Sequence, residues 1–208
     1  PVTGNNLEAG IKGEWLEGRL NASAAVYRAR KNNLATAAGR DPGGNTYYRA
    51  ANQAKTHGWE IEVGGRITPE WQIQAGYSQS KTRDQDGSRL NPDSVPERSF
   101  KLFTAYHFTP EAPSGWTIGA GVRWQSETHT DPATLRIPNP AAKARAAANS
   151  RQKAYAVADI MARYRFNPRA ELSLNVDNLF NKHYRTQPDR HSYGALRTVN
   201  AAFTYRFK

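Results

Sequence analysis

The 208-residue chain has no cysteine, which removes disulfides, thiolate metal sites and cysteine nucleophiles and leaves the compartment open. Long hydrophobic runs are missing too. No stretch approaches the roughly 18–20 consecutive apolar residues of a spanning helix, so a helical membrane protein is excluded. The mean hydropathy of −0.79 would suit a polar soluble protein, yet it does not exclude a barrel, whose strands alternate lipid-facing and lumen-facing residues and so have a low average. Ligand spacing such as H-x-x-x-H or H-E-x-x-H is absent among His57, His107, His129, His183 and His191. No metal site and no cofactor are expected. The chain opens at Pro1 without a leader, so the targeting segment of an exported protein would lie in preceding sequence.

What is abundant is positive charge, +11 from 29 Lys and Arg against 18 Asp and Glu. Such a balance suits phosphate partners. Here the cations are scattered, the longest cluster being Arg28, Arg30 and Lys31, and no helix or RNA-binding motif gathers them. Nucleic acid is therefore not expected. A basic outer rim facing phosphorylated lipid, or a basic lumen, would use the same charge.

Segments of period two alternate with turns that are short, then long. Leu7, Ala9, Ile11, Gly13 and Trp15 oppose Glu8, Gly10, Lys12 and Glu14. Trp59, Ile61 and Val63 oppose Glu60, Glu62 and Gly64. Ala156, Ala158, Ile160, Ala162, Tyr164 and Phe166 oppose Val157, Asp159, Met161, Arg163 and Arg165, and a last strand sets Val199, Ala201, Phe203, Tyr205 and Phe207 against Thr198, Asn200, Ala202, Thr204 and Arg206. About nine strands result, one face apolar throughout and the other charged. Loops are expected near residues 31–50, 83–96 and 127–152, with a helical turn in the alanine-rich run Ala141–Ala148. A soluble sandwich fits the same alternation. The aromatics favour a membrane barrel: Trp15, Trp71, Phe108, Trp116, Phe166 and Phe207 all lie on the apolar face beside the short turns, as an interfacial girdle requires. Charged lumen residues, among them Lys12, Arg123, Arg163, Glu62 and Asp159, are expected to pair across strands.

Asn175-Val176-Asp177-Asn178-Leu179-Phe180-Asn181-Lys182-His183-Tyr184, followed by Ala202-Phe203-Thr204-Tyr205-Arg206-Phe207-Lys208, resembles the C-terminal end of TonB-dependent outer-membrane receptors. His57-Gly58-Trp59-Glu60-Ile61-Glu62 is similar to that family's R-G-x-E-x-E strand, and Tyr193-Gly194-Ala195-Leu196-Arg197 to its Y-G-x-P-R, with Leu196 in place of proline. Lys208 follows the aromatic on which the family usually ends. The likeness runs in order along nearly the whole chain. It implies that residues 1–208 are the C-terminal, all-β, antiparallel part of a plugged barrel of roughly 22 strands, with the plug and the earlier strands lying elsewhere.

The resemblance further implies a Gram-negative outer-membrane protein, surrounded by lipid and lipopolysaccharide. It would take up a ferric siderophore with energy relayed by TonB through an N-terminal region not in this sequence. A passive porin-like channel, or an attachment barrel for phage or colicin, is the alternative. Tyr47, Tyr48, Arg49, Tyr184, Arg185, Arg190 and Tyr193 are the expected ligand contacts, since extracellular loops are where aromatic and cationic side chains would meet an iron chelate; the other reading is that they only decorate the rim. Because such loops are exposed, replacing Tyr184, Arg185 and Arg190 is expected to leave folding intact. A barrel enzyme would need a group such as His129 with Asp131, or His191 with Asp189 and Ser192, but no nucleophile motif supports either, and no catalytic residue is expected.

Overall fold

The computed structural model describes residues 1–90, 95–129, 135, 137–188 and 192–207. Along these run β1 (Thr3–Trp15), β2 (Leu20–Arg40), β3 (Thr46–Arg66), β4 (Trp71–Asp84), β5 (Arg98–His107), β6 (Gly115–Gln125), β7 (Thr128–His129), α1 (Pro140–Asn149), β8 (Arg151–Gln152), β9 (Tyr155–Asn167), β10 (Ala170–Asp177), β11 (Arg185–Gln187), β12 (Ser192–Tyr193) and β13 (Thr198–Tyr205). Nine strands make one antiparallel sheet in the order β1-β2-β3-β4-β5-β6-β9-β10-β13, each beside its predecessor in the chain. β7 with β8, and β11 with β12, form separate two-stranded ribbons. β1 pairs only with β2 and β13 only with β10, so the sheet is not closed.

Tight turns gather at one end. Leu16, Glu17 and Gly18 all take positive φ, which matches the twist of the strands they join, and Arg19 N donates to Leu16 O at 3.2 Å. The Asn167 carboxamide oxygen accepts from the backbone N–H of both Arg169 and Ala170, so the polar residue at the end of β9 turns the chain. At the other end the connections are long, with one departure from the expected loop over residues 31–50. β2 and β3 continue pairing to Arg40 and Thr46 through register shifts near Lys31, Leu34 and Ala37, and only the Asp41-Pro42-Gly43-Gly44 tip turns, closed by Gly44 N to Asp41 O at 2.9 Å. Tyr47, Tyr48 and Arg49 are therefore strand residues.

The two faces are separated by parity. Trp116, Tyr164 and Leu172 are neighbours in register on one face, as are Thr117, Arg163 and Ser173 on the other. Leu7, Ile11, Trp71, Trp116, Ile160, Phe203 and Tyr205 are exposed; among the described residues only Ala105, Val157 and Ala170 form a buried apolar set. A sandwich would hide these large side chains, and this sheet turns them all outward. Their burial therefore requires lipid, at about 1.5–3 kcal/mol per large apolar side chain. Rings meet in a belt near the short turns: Tyr106 with Phe108, Trp116 with Tyr164, Tyr164 with Phe166, Phe166 with Phe203 and Tyr205 with Phe207. The girdle is as expected, whereas the inner face is less uniformly polar. Phe103 lies there because Gly119 and Gly121 leave space under its ring: a Cβ on Gly119 would stand 3.2 Å from the Phe103 ring.

Candidate ligand-binding rim

The Asn-Leu-Phe segment is a knot in the backbone. Asn178, 2% exposed, takes a left-handed φ of 51°, which asparagine tolerates better than most residues. Its carboxamide nitrogen donates to Lys182 O (2.9 Å) and Ala195 O (3.0 Å), and its carboxamide oxygen accepts from Lys182 N (2.7 Å). Asn178 N donates to Asp159 Oδ1 at 2.8 Å, and Asp159 pairs with Arg123 at 3.2 Å. Asn181 repeats the device, with φ of 50° and its side-chain oxygen accepting from Arg197 N at 2.9 Å. One motif thus ties the end of β10, the approach to β13 and the charged lumen together.

The loop beyond the knot is built from the expected ligand residues, though not as free side chains. Tyr184 is half-buried, stacked on Tyr155 with centroids 4.5 Å apart. It lies so close over Gly194 that a Cβ there would fall 1.9 Å from the ring. Arg185 donates from its guanidinium to Asn149 O at 2.6 Å, placing a cation on the C-terminal end of α1 where the helix dipole is negative. Its backbone N donates to the Gln152 side chain at 2.8 Å, and its guanidinium carbon sits 5.7 Å from the centre of the Tyr193 ring. Arg185 thus joins the last loop to α1 through its guanidinium and to β8 through its backbone, and Tyr184 joins it to β9 through Tyr155, so these two residues are engaged within the protein. Tyr193 is 62% exposed, Tyr47 52% and Tyr48 64%; Arg49 is exposed as well. Tyr184, Arg185 and Tyr193 are thus brought together, while Tyr47, Tyr48 and Arg49 stand on the β2–β3 hairpin. Arg190 lies outside the described residues, as do Asp131, Asp189 and His191.

Residues that pattern reading missed are Tyr155, Gln152, Asn149 and Gly194. The Tyr-Gly pair at 193–194 was the signal for the last. Elsewhere on this rim Arg83 pairs with Glu97 at 2.6 Å and Arg89 approaches the same carboxylate at 3.8 Å. Burial pushes the Glu97 carboxyl up, but the hydrogen bond from Arg83 and the charges of Arg83, Arg89 and Lys81 outweigh it and leave the group below its ordinary range. The Arg151–Glu127 contact joins the start of β8 to the segment before β7, and its hydrogen bond lowers the Glu127 carboxyl.

The concave face encloses a space of about 1030 Å3 lined by Lys12, Glu14, Glu62, Lys101, Arg123 and Asp159 among others. Of the expected cross-strand pairs, only Arg123 with Asp159 forms among the described residues, while Lys12, Glu62 and Arg163 join no ion pair; the pair is half exposed and so worth no more than about 1 kcal/mol. Among the described residues no group of three or more His, Asp or Glu side chains could hold a metal ion. The rim offers aromatic faces, guanidinium donors and a wet, charged wall beneath them, which suits capture of a bulky polar ligand.

Known proteins share this architecture. Residues 1–179 match the family model described as TonB dependent receptor-like, beta-barrel. The ferric-pyoverdine 358 receptor of Pseudomonas putida is 37% identical over the whole chain, which covers 24% of that receptor, and the ferripyoverdine receptor of Pseudomonas aeruginosa is 35% identical over 89% of the chain and 22% of the receptor. The chain spans about a quarter of the length of these curated relatives. In the crystal structure of the Pseudomonas aeruginosa outer-membrane ferripyoverdine receptor bound to ferripyoverdine, the same fold covers 99% of this chain and 27% of that one, with a TM-score of 0.80 at 31% identity. The closed form of the ferric-catecholate import receptor Fiu from Escherichia coli K12 gives 0.75 at 29% identity over 100% and 28% of the two chains. The open nine-stranded sheet is thus a section of an outer-membrane barrel wall, and the chain belongs to the TonB-dependent receptor β-barrel family.

Proposed function

We propose that the 208 residues are the C-terminal part of an outer-membrane receptor that takes up a ferric siderophore with energy supplied through TonB, and that it performs transport and no covalent chemistry. The observation that carries this reading is the 36–37% identity, along the full length of this chain, to receptors named for ferric pyoverdine. The rim chemistry supports it. Tyr47, Tyr48, Arg49 and Tyr193 are open to an arriving ligand, and Tyr184 and Arg185 hold the loop that presents Tyr193. Arginine pairs with carboxylate or catecholate oxygens, and tyrosine offers an apolar face with a hydroxyl handle. Iron would stay inside its organic chelate, so the protein needs no iron ligands of its own.

The test is accumulation of radiolabelled ferric pyoverdine and of a ferric catecholate by whole cells carrying the complete receptor, with and without a protonophore. Energy-dependent uptake of one of them supports the proposal. Uptake of small solutes that the protonophore does not touch, with no chelate binding, would make the barrel a passive channel and overturn it.

A further inference from the structure

The outward face of β1–β4 changes character just above its apolar band. In the pairing register Leu7, Arg28, His57 and Lys81 lie side by side across the four strands, and two residues nearer the long loops Asn5, Arg30, Lys55 and Arg83 do the same. These rows share the parity of Trp59 and Tyr77, whose rings meet 4.9 Å apart on the outer face. Arg83 is engaged by Glu97, which also acts on Lys81 through its charge. Arg28, Arg30, Lys55 and Lys81 join no ion pair among the described residues. Directly below, Ala9, Ala24, Val26, Trp59 and Ile61 line an apolar groove of about 490 Å3.

We propose that this face seats a phosphorylated, multiply acylated lipid, its phosphates on Arg28, Arg30, Lys55 and Lys81 and an acyl chain in the groove beneath. The proposal rests on the chain forming part of a closed outer-membrane barrel. Strands about 4.8 Å apart and a rise of about 3.4 Å per residue make the cationic patch about 10 Å by 7 Å, which holds two phosphate groups and is wide for one. A water-soluble anion would have no use for the groove, and a neutral lipid none for the cations. Nor is this a collar of interfacial lysines found all round the sheet. At the corresponding end of the later strands the outward residues are Trp124 with Ala156, Val122 with Ala158, and Val176 with Val199. Arg98 at the start of β5, in register with Gln79, extends the charge by one strand, so the outward cations span β2–β5 and are absent from these positions of β6, β9, β10 and β13.

The experiment titrates the complete receptor, purified in detergent, with hexa-acylated diphosphoryl lipid A and follows bound lipid by native mass spectrometry. A variant combining Arg28→Gln, Arg30→Gln, Lys55→Gln and Lys81→Gln should bind at least tenfold more weakly, and lipid stripped of both phosphates should lose as much on the unaltered receptor. The charge-conserving pair Lys55→Arg with Lys81→Arg should bind as the unaltered receptor does. Should the fourfold variant fail to fold, as read by gel mobility before and after heating, the pair Lys55→Gln with Lys81→Gln carries the test with at least a threefold loss. Unchanged affinity in the neutralised receptor, equal binding of phosphate-free lipid, or displacement of lipid A by millimolar inorganic phosphate would each overturn the proposal. Ferric-chelate binding by the same preparations tests the uptake reading independently.

Discussion

Three side chains at the rim have roles that their chemistry alone would not disclose. Asn178 satisfies three backbone groups from a buried position. In the complete receptor Asn178→Ala should cost about 2–4 kcal/mol, since each buried group left unpaired costs about 1–3 kcal/mol, and alanine is also strained at φ of 51°. The folded fraction in lipid vesicles across a urea series measures it; a loss under 1 kcal/mol would mean that the knot holds itself by backbone alone. Gly194→Ala tests the contact beneath Tyr184. A methyl group cannot share the space with the ring, so the Tyr155–Tyr184 stack should open and the segment from Tyr184 to Gln187 become more open to protease, while the folded fraction falls by less than it does for Asn178→Ala. Glu97 supplies a pH dependence. Its folded-state pKa is depressed, so the stabilisation it gives through Arg83 and Arg89 is complete above the unfolded glutamate value of about 4.3 and is lost as pH falls through the folded value. Protection factors of the amides from Arg83 to Arg89, corrected for intrinsic exchange at each pH, should fall on acidification in the unaltered receptor and change less over this range in Glu97→Gln.

At the scale of the element, alternation made the strands legible. Charge at alternate positions, as at Asp159, Arg163 and Arg165 of β9 and Glu60 and Glu62 of β3, and aromatics beside each short turn placed inward and outward faces without tertiary information, because slipping a strand by one residue would turn all of its side chains to the wrong medium. Legibility ended where alternation did. Beyond Lys31 the β2 arm of the β2–β3 hairpin carries mostly Asn, Ala, Thr and Gly, which mark no face, and only cross-strand pairing with register shifts shows that it stays a ribbon. The seven rim residues could be named as a chemical type, but the division of the six described ones into exposed and engaged groups depends on Asn149, Gln152, Tyr155 and Gly194, which come near them only through the fold. Facing can be tested on two neighbouring strands. Ile160→Arg, outward and at mid-height on β9, should destabilise the complete barrel by about 2–4 kcal/mol in lipid, while the lumen-facing Asn175→Lys on β10 should cost well under 1 kcal/mol. Equal costs in vesicle-based unfolding would mean that the two faces are misassigned.

At the scale of the molecule the sheet's two free edges dominate. β1 and β13 each present a row of backbone N–H and C=O groups with no partner strand on the far side, and in hydrocarbon each such group costs several kcal/mol. Alternate groups along even an eight-residue edge therefore outweigh a net folding stability of about 5–15 kcal/mol. The outward aromatics and aliphatics add to the problem in water, where nothing covers them. Expressed alone, the 208 residues should neither stay monomeric in buffer nor give discrete ion-conducting events from a folded monomer in a planar bilayer. Self-association through the edges, visible as ladders on a native gel, is the expected outcome. Co-expression with the strands that close the barrel in the longer relatives should suppress the ladders, because pairing satisfies both edges at once. Unitary channels of fixed conductance from the purified monomer would show that nine strands close on themselves, and the wall-section reading would then fail together with the need for any further strands.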